Sequence, residues 1–165
     1  MRVRLIASAA ILTAVGGGFL ACNDSSTGPA STTYIATLNG ANEKPSAVTT
    51  AATGTATYTL TGNTLTYTVT VTGLTSTSTM SHIHVGSGAV AGPVIVPYTV
   101  YAIQNGLVTT GSIDLSNPVS SNSATLANTI SGDSLKVLLN NGNAYTNVHT
   151  LNFPGGEIRG QIVKQ

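Results

Sequence analysis

From residue 55 to 60, and again from 64 to 72, threonine alternates with Ala56, Tyr58 and Leu60 and then with Leu65, Tyr67, Val69 and Val71. A period of two sends successive side chains to opposite faces, so each run predicts a strand with its apolar face on a core and its hydroxyls toward water. Gly62-Asn63 between them is a two-residue turn of the hairpin type. Runs bounded by Gly, Pro or Asn predict further strands over 34–38, 80–85, 94–100, 107–113, 144–150 and 157–163. Many short strands in one chain point to an all-β fold, an antiparallel Greek-key-like β-sandwich. Residues 123–140 break the pattern. Leu126, Ile130, Leu135, Leu138 and Leu139 keep helix-like spacing before the stop Asn140-Asn-Gly142, so one or two short helices are expected ahead of the penultimate strand. Tyr34, Tyr58 and Tyr67 fall in phase with the core, whereas Tyr98 and Tyr101 flank a loop and are expected to face a partner.

The N-terminus follows a different rule. Met1-Arg-Val-Arg4 is basic, and the apolar stretch from Leu5 to Leu20 is broken by Gly16-Gly-Gly18 before Ala21 and Cys22. That is the layout of an export signal, since the unbroken apolar part is too short for a membrane span. Cys22 is the single cysteine, so no intramolecular disulfide can form. Ala21-Cys22 resembles the lipobox of bacterial lipoproteins, which implies a lipidated Cys22 anchored by acyl chains worth about 0.8 kcal/mol per CH₂. The organisation expected is a lipoprotein signal peptide over 1–21, a flexible tether over 22–32 rich in Ser, Thr, Gly and Asn, and one domain over 33–165. Location follows as exported and lipid-anchored in the bacterial cell envelope, with Asn23 after the cysteine favouring the outer membrane. A net charge of +1 argues against a nucleic-acid partner, whose phosphates call for a basic face.

Several motifs follow one another in a set order: Ala36-Thr-Leu-Asn-Gly-Ala-Asn-Glu-Lys-Pro45, Gly54-Thr-Ala56, Val71-Thr-Gly-Leu74, His82-Ile-His-Val-Gly86, Gly142-Asn-Ala-Tyr-Thr-Asn-Val-His-Thr150 and Pro154-Gly-Gly-Glu-Ile-Arg-Gly-Gln161. Together they resemble the CHRD domain, named from chordin and also found in microbial secreted proteins. In chordin such domains belong to an extracellular antagonist of bone morphogenetic proteins. For a bacterial member the resemblance implies a secreted or envelope module without an established reaction, acting as a binding or structural unit toward a protein, peptide or glycan.

The three histidines carry the candidate chemistry. His82 and His84 are two apart in an expected strand, so both rings leave one face, roughly 6 to 7 Å apart at ~3.3 Å per residue. If the strand bearing His149 lies beside them, a three-histidine site follows, with bonds of about 2.0 to 2.1 Å to zinc. Imidazole also suits copper. Glu157 is a candidate fourth ligand, or a partner that fixes a histidine tautomer, and Arg159 on the same strand face is placed to hold it. The competing expectation is a hydrogen-bonded polar cluster in which Glu157 and Arg159 pair across the sheet. Glu43-Lys-Pro45 reads as a surface ion pair, and Pro154-Gly-Gly156 as the turn into the last strand.

Catalysis is not expected. His-x-His-Val-Gly also resembles a fragment of copper/zinc superoxide dismutase, but that enzyme needs more imidazoles than this chain holds, together with a metal-binding aspartate. No serine sits in a Gly-x-Ser-x-Gly elbow. Two functions remain: a non-enzymatic binding or structural module, or an envelope metal-binding protein using copper or zinc.

Overall fold

The computed structural model describes residues 28–121 and 128–165. The expected signal peptide, Cys22, most of the tether and Leu126 lie outside the described residues.

Among the described residues nine strands and one α-helix follow one another: β1 (Ser31–Asn39), β2 (Thr53–Thr61), β3 (Thr64–Thr72), β4 (Ser78–Val85), β5 (Val94–Pro97), β6 (Gly106–Asp114), α1 (Gly132–Asn140), β7 (Ala144–Thr150), β8 (Ile158–Gln161) and β9 (Val163–Lys164). A 3-10 turn over Gly40–Asn42 follows β1, capped by the Asn39 side chain. Every strand pairing is antiparallel, in the order β5-β4-β7-β8-β1-β2-β3-β6, with β9 also on β1. The all-β antiparallel class read from the alternation is therefore the class observed. The hairpin β2–β3 turns at Gly62, whose φ of +59° is a conformation glycine takes without steric cost.

The sheet curls until its halves face each other, in the manner of a sandwich. β2 and β7 are separated in hydrogen-bonding order by β1 and β8, yet Tyr58 of β2 hydrogen-bonds Thr146 of β7 and, at 2.9 Å, Tyr98 beyond β5. Between the halves lie Leu38, Ala56, Leu65, Val69, Ile83, Val148 and Ile158, all wholly buried. Tyr98 is part of this core, stacked on Tyr67 with ring centroids 4.3 Å apart, and it does not face a partner. Its phenol finds a partner inside, which removes the cost of burying it.

Three boundaries differ from expectation. Among the described residues the helical pattern begins after Ser131, whose hydroxyl caps α1 by accepting from Ser134 N, and Ile130 forms a bridge to Val119. Leu135 and Leu139 supply the buried face of that helix. Second, β5 ends at Pro97, which has no N–H to continue the ladder. Third, the last strand divides: β8 pairs with β7, and β9 pairs with β1 at Tyr34 and Ile35. Gly160 permits this close passage, because a Cβ there would lie 2.4 Å from Thr37 O. Among the described residues no helix is long and apolar enough to cross a membrane.

Candidate metal centre

β4 and β7 are neighbours, with Met80 opposite His149, His82 opposite Asn147 and His84 opposite Tyr145. Ser81 and Ile83 are wholly buried toward the core, so alternation sends His82 and His84 to the outer face of the sheet. On β7 the same rule places Tyr145, Asn147 and His149 beside them. The rings of His82 and His84 have centroids 5.4 Å apart, and those of His82 and His149 5.0 Å apart. One ligand nitrogen from each histidine lies within 4.8 Å of the others. A segment some sixty positions downstream thus completes the set begun by His-x-His.

Two of the rings are held by backbone carbonyls. His84 Nδ1 lies 2.8 Å from Gly92 O, and His149 Nδ1 lies 2.9 Å from Pro154 O. A carbonyl only accepts, so in His149 Nδ1 carries the ring proton and Nε2 carries the lone pair. His149 Nε2 is buried without a partner, and so is His82 Nδ1. His84 Nε2 lies 3.1 Å from Asn147 Oδ1, so both nitrogens of that ring meet an acceptor oxygen. Orphaned polar atoms in a native interior are uncommon and call for an explanation. His149, with one nitrogen on a carbonyl and the other unpartnered beside the His82 ring, has the arrangement that orients metal-ligating histidines.

Electrostatics point the same way. Burial, then the proximity of His149 and His84, push His82 down to about 4. Burial likewise lowers His84 and His149, partly offset by their carbonyl contacts. At neutral pH the rings are neutral, each with a lone pair on one nitrogen.

Glu157 and Arg159 do not take the places expected of them. Glu157 is wholly buried, and its carboxylate accepts from Thr50 Oγ1 at 2.9 Å, Thr75 N and Oγ1 at 3.0 Å each, and Thr150 Oγ1 at 2.7 Å. With its acceptor sites filled it is neither a fourth ligand nor a tautomer holder. Arg159 does not pair with it; the only ion pair among the described residues joins Lys136 and Asp133. The reason is that β8 starts at Ile158, so strand alternation does not extend back to Glu157. Arg159 instead lies over the Tyr145 ring, 3.3 Å from its centroid, and donates to Ser87 O. Tyr145 in turn stacks on His84 at 4.6 Å. Guanidinium, phenol and imidazole therefore form one pile that braces His84 from behind.

Glu43 is a second correction. It is not in a surface ion pair but buried, with Oε1 unpartnered. Burial pushes its carboxyl up to about 7, against the attraction of Arg159. Gly156 makes room for it, since a Cβ there would lie 2.7 Å from Oε1. The alternation of Tyr145, Asn147 and His149 is legible in the sequence, so the roles of the first two could have been foreseen. No sequence signal marks the carbonyls of Gly92 and Pro154, which come from loops.

Comparison with known proteins adds the family. No curated protein and no solved structure matches significantly. A family model described as the CHRD domain matches residues 34–162, which takes in most of β1, all of β2 through β8 and every residue of the histidine cluster. The chain belongs to the CHRD domain family.

Proposed function

We propose that this CHRD domain is a non-enzymatic metal-binding module in which His82, His84 and His149 hold a copper or zinc ion. The observation that carries the reading is the convergence of the three rings: one nitrogen from each lies within 4.8 Å of the others, with His149 held at Nδ1 by Pro154 O and unpartnered at Nε2, and His84 positioned by Gly92 O. Neither Glu157 nor Arg159 is a ligand. Cys22, lipidated at the end of an export signal, ties the module to the outer membrane of a bacterial envelope, and the following segment lets it stand off the bilayer.

The test uses untagged protein purified from the envelope fraction in detergent, with one equivalent of copper or zinc added. A ligand that binds only the folded state raises stability by RT ln(1 + [L]/Kd), about 2.7 kcal/mol at a hundredfold excess over Kd. The expected result is metal retained through desalting and a raised unfolding midpoint, both lost in a His84→Ala, His149→Ala double variant. Retention by the double variant would place the ligands elsewhere. No retention by the unaltered protein would end the reading. Labelling with radioactive palmitate, abolished by Cys22→Ala, checks the anchor.

A second reading, capture of a protein, peptide or glycan by the loops, draws support from a cavity of about 270 Å³ walled by Pro45, Val48, Phe153 and Gly155, with Glu43 in its lining. Amide shift changes confined to residues 43–48 and 152–156 on adding envelope glycan or peptide would favour it. Unchanged spectra would count against it.

A further inference from the structure

We propose that Met80 supplies a thioether as the fourth donor of the three-imidazole site, which makes the site selective for monovalent copper over zinc. The inference rests on the metal-binding reading above and deepens it. Met80 stands directly opposite His149 in the β4–β7 pair and two residues before His82 on β4. Directly opposed residues have Cβ atoms about 4.5 to 5.5 Å apart, and residues two apart on a strand share a face. Its alternation partner Ser81 is wholly buried, so the Met80 side chain lies on the face that carries the imidazoles and not in the core. Methionine has three rotatable bonds beyond its backbone, and that reach lets its sulfur swing toward rings anchored on the same surface.

Exposure gives the side chain its meaning. Met80 is 44 % exposed, whereas His84 and His149 are 8 % exposed each. Tyr145 and the loop carrying Gly92 pack at the His84 end of this face, and Met80 lies at the opposite end, across from His149. No carboxylate joins the site: that of Glu157 is saturated by threonines and the Thr75 N–H, and Glu43 lies outside the group of candidate ligands, which contains only the three histidines. Zinc sites take carboxylate, thiolate or water beside imidazole. A thioether is soft and shifts the preference to Cu(I).

The experiment titrates the detergent-purified full-length product anaerobically with Cu(I) against a chromophoric Cu(I) chelator, and in parallel with Zn(II) against a zinc chelator. Met80→Leu keeps size and apolarity at an exposed position, and the unfolding midpoint of the metal-free variant should match that of the parent. The expected result is a Cu(I) affinity lowered roughly tenfold or more, with Zn(II) affinity unchanged within about twofold. X-ray absorption at the copper edge should show one sulfur scatterer in the parent and none in Met80→Leu. Equal loss for both metals, or no loss for Cu(I), would overturn the role of Met80 while leaving the imidazole site standing. Failure of the parent to bind either metal would remove the imidazole site itself, and the thioether role with it.

Discussion

Gly92 is the residue on which the orientation of His84 turns. Its carbonyl receives both His84 Nδ1 and the Tyr145 hydroxyl, the latter at 3.2 Å, while its N–H donates to that same hydroxyl at 3.0 Å. A Cβ at this position would lie 1.6 Å from Val85 O, so no other residue fits without moving the loop. Gly92→Ala should therefore displace the carbonyl and release the His84 ring, lowering metal affinity by roughly ten- to a hundredfold, as loss of an outer-shell partner commonly does. Competition titration of the variant checks this. An unchanged affinity would mean that the carbonyl does not orient the ligand.

At the scale of elements, the outer face of β4–β7 is built by one end of the sheet and secured by another. Glu157, just before β8, gathers Thr50 ahead of β2, Thr75 ahead of β4 and Thr150 at the end of β7. Asn152 adds a bond from its N–H to Ser76 Oγ, so the loop bearing Pro154, which holds His149, is tied to the start of β4. Hydrogen bonds to a charged group are worth about 1.5 to 3 kcal/mol each, and removing the carboxylate leaves hydroxyls and an N–H without partners. Glu157→Ala should cost about 3 kcal/mol or more in urea unfolding, and Glu157→Gln, which retains an acceptor oxygen, clearly less. A variant as stable as the parent would show that these loops are held by other contacts. The seam was not readable in advance. Strand alternation, on which the sequence reading relied, assigned Glu157 to the face of Arg159, and the end of the strand at Ile158 decides otherwise.

For the whole molecule, two buried populations of titrating groups oppose each other in acid. His82 falls from an ordinary 6.5 to about 4, and His84 and His149 are also lowered. Between those limits the unfolded chain binds protons that the folded imidazoles refuse, so stability falls as pH drops below 6.5. Glu43 rises from 4.5 to about 7, so the folded state holds its proton more tightly across that range and stability grows as pH drops. The shifts of His82 and Glu43 are similar in size and opposite in sign, which leaves His84 and His149 to set the direction. Metal-free protein should lose stability from pH 7 to 4.5, more steeply in Glu43→Gln and less steeply in His82→Gln. Chemical unfolding at a series of pH values measures both slopes, and a flatter profile in Glu43→Gln would contradict the assignment. The sequence by itself determined the antiparallel all-β class, the hairpin at Gly62-Asn63 and the identity of the three histidines, because period-two alternation, turn residues and rare side chains are local properties of the chain. Only the tertiary structure decided that β7 lies beside β4, that Gly92 and Pro154 lend their carbonyls, and that Glu157 turns away while Glu43 is buried. Those outcomes depend on which distant segments share the curled sheet, and strand pairing over such separations leaves no periodic mark in either partner.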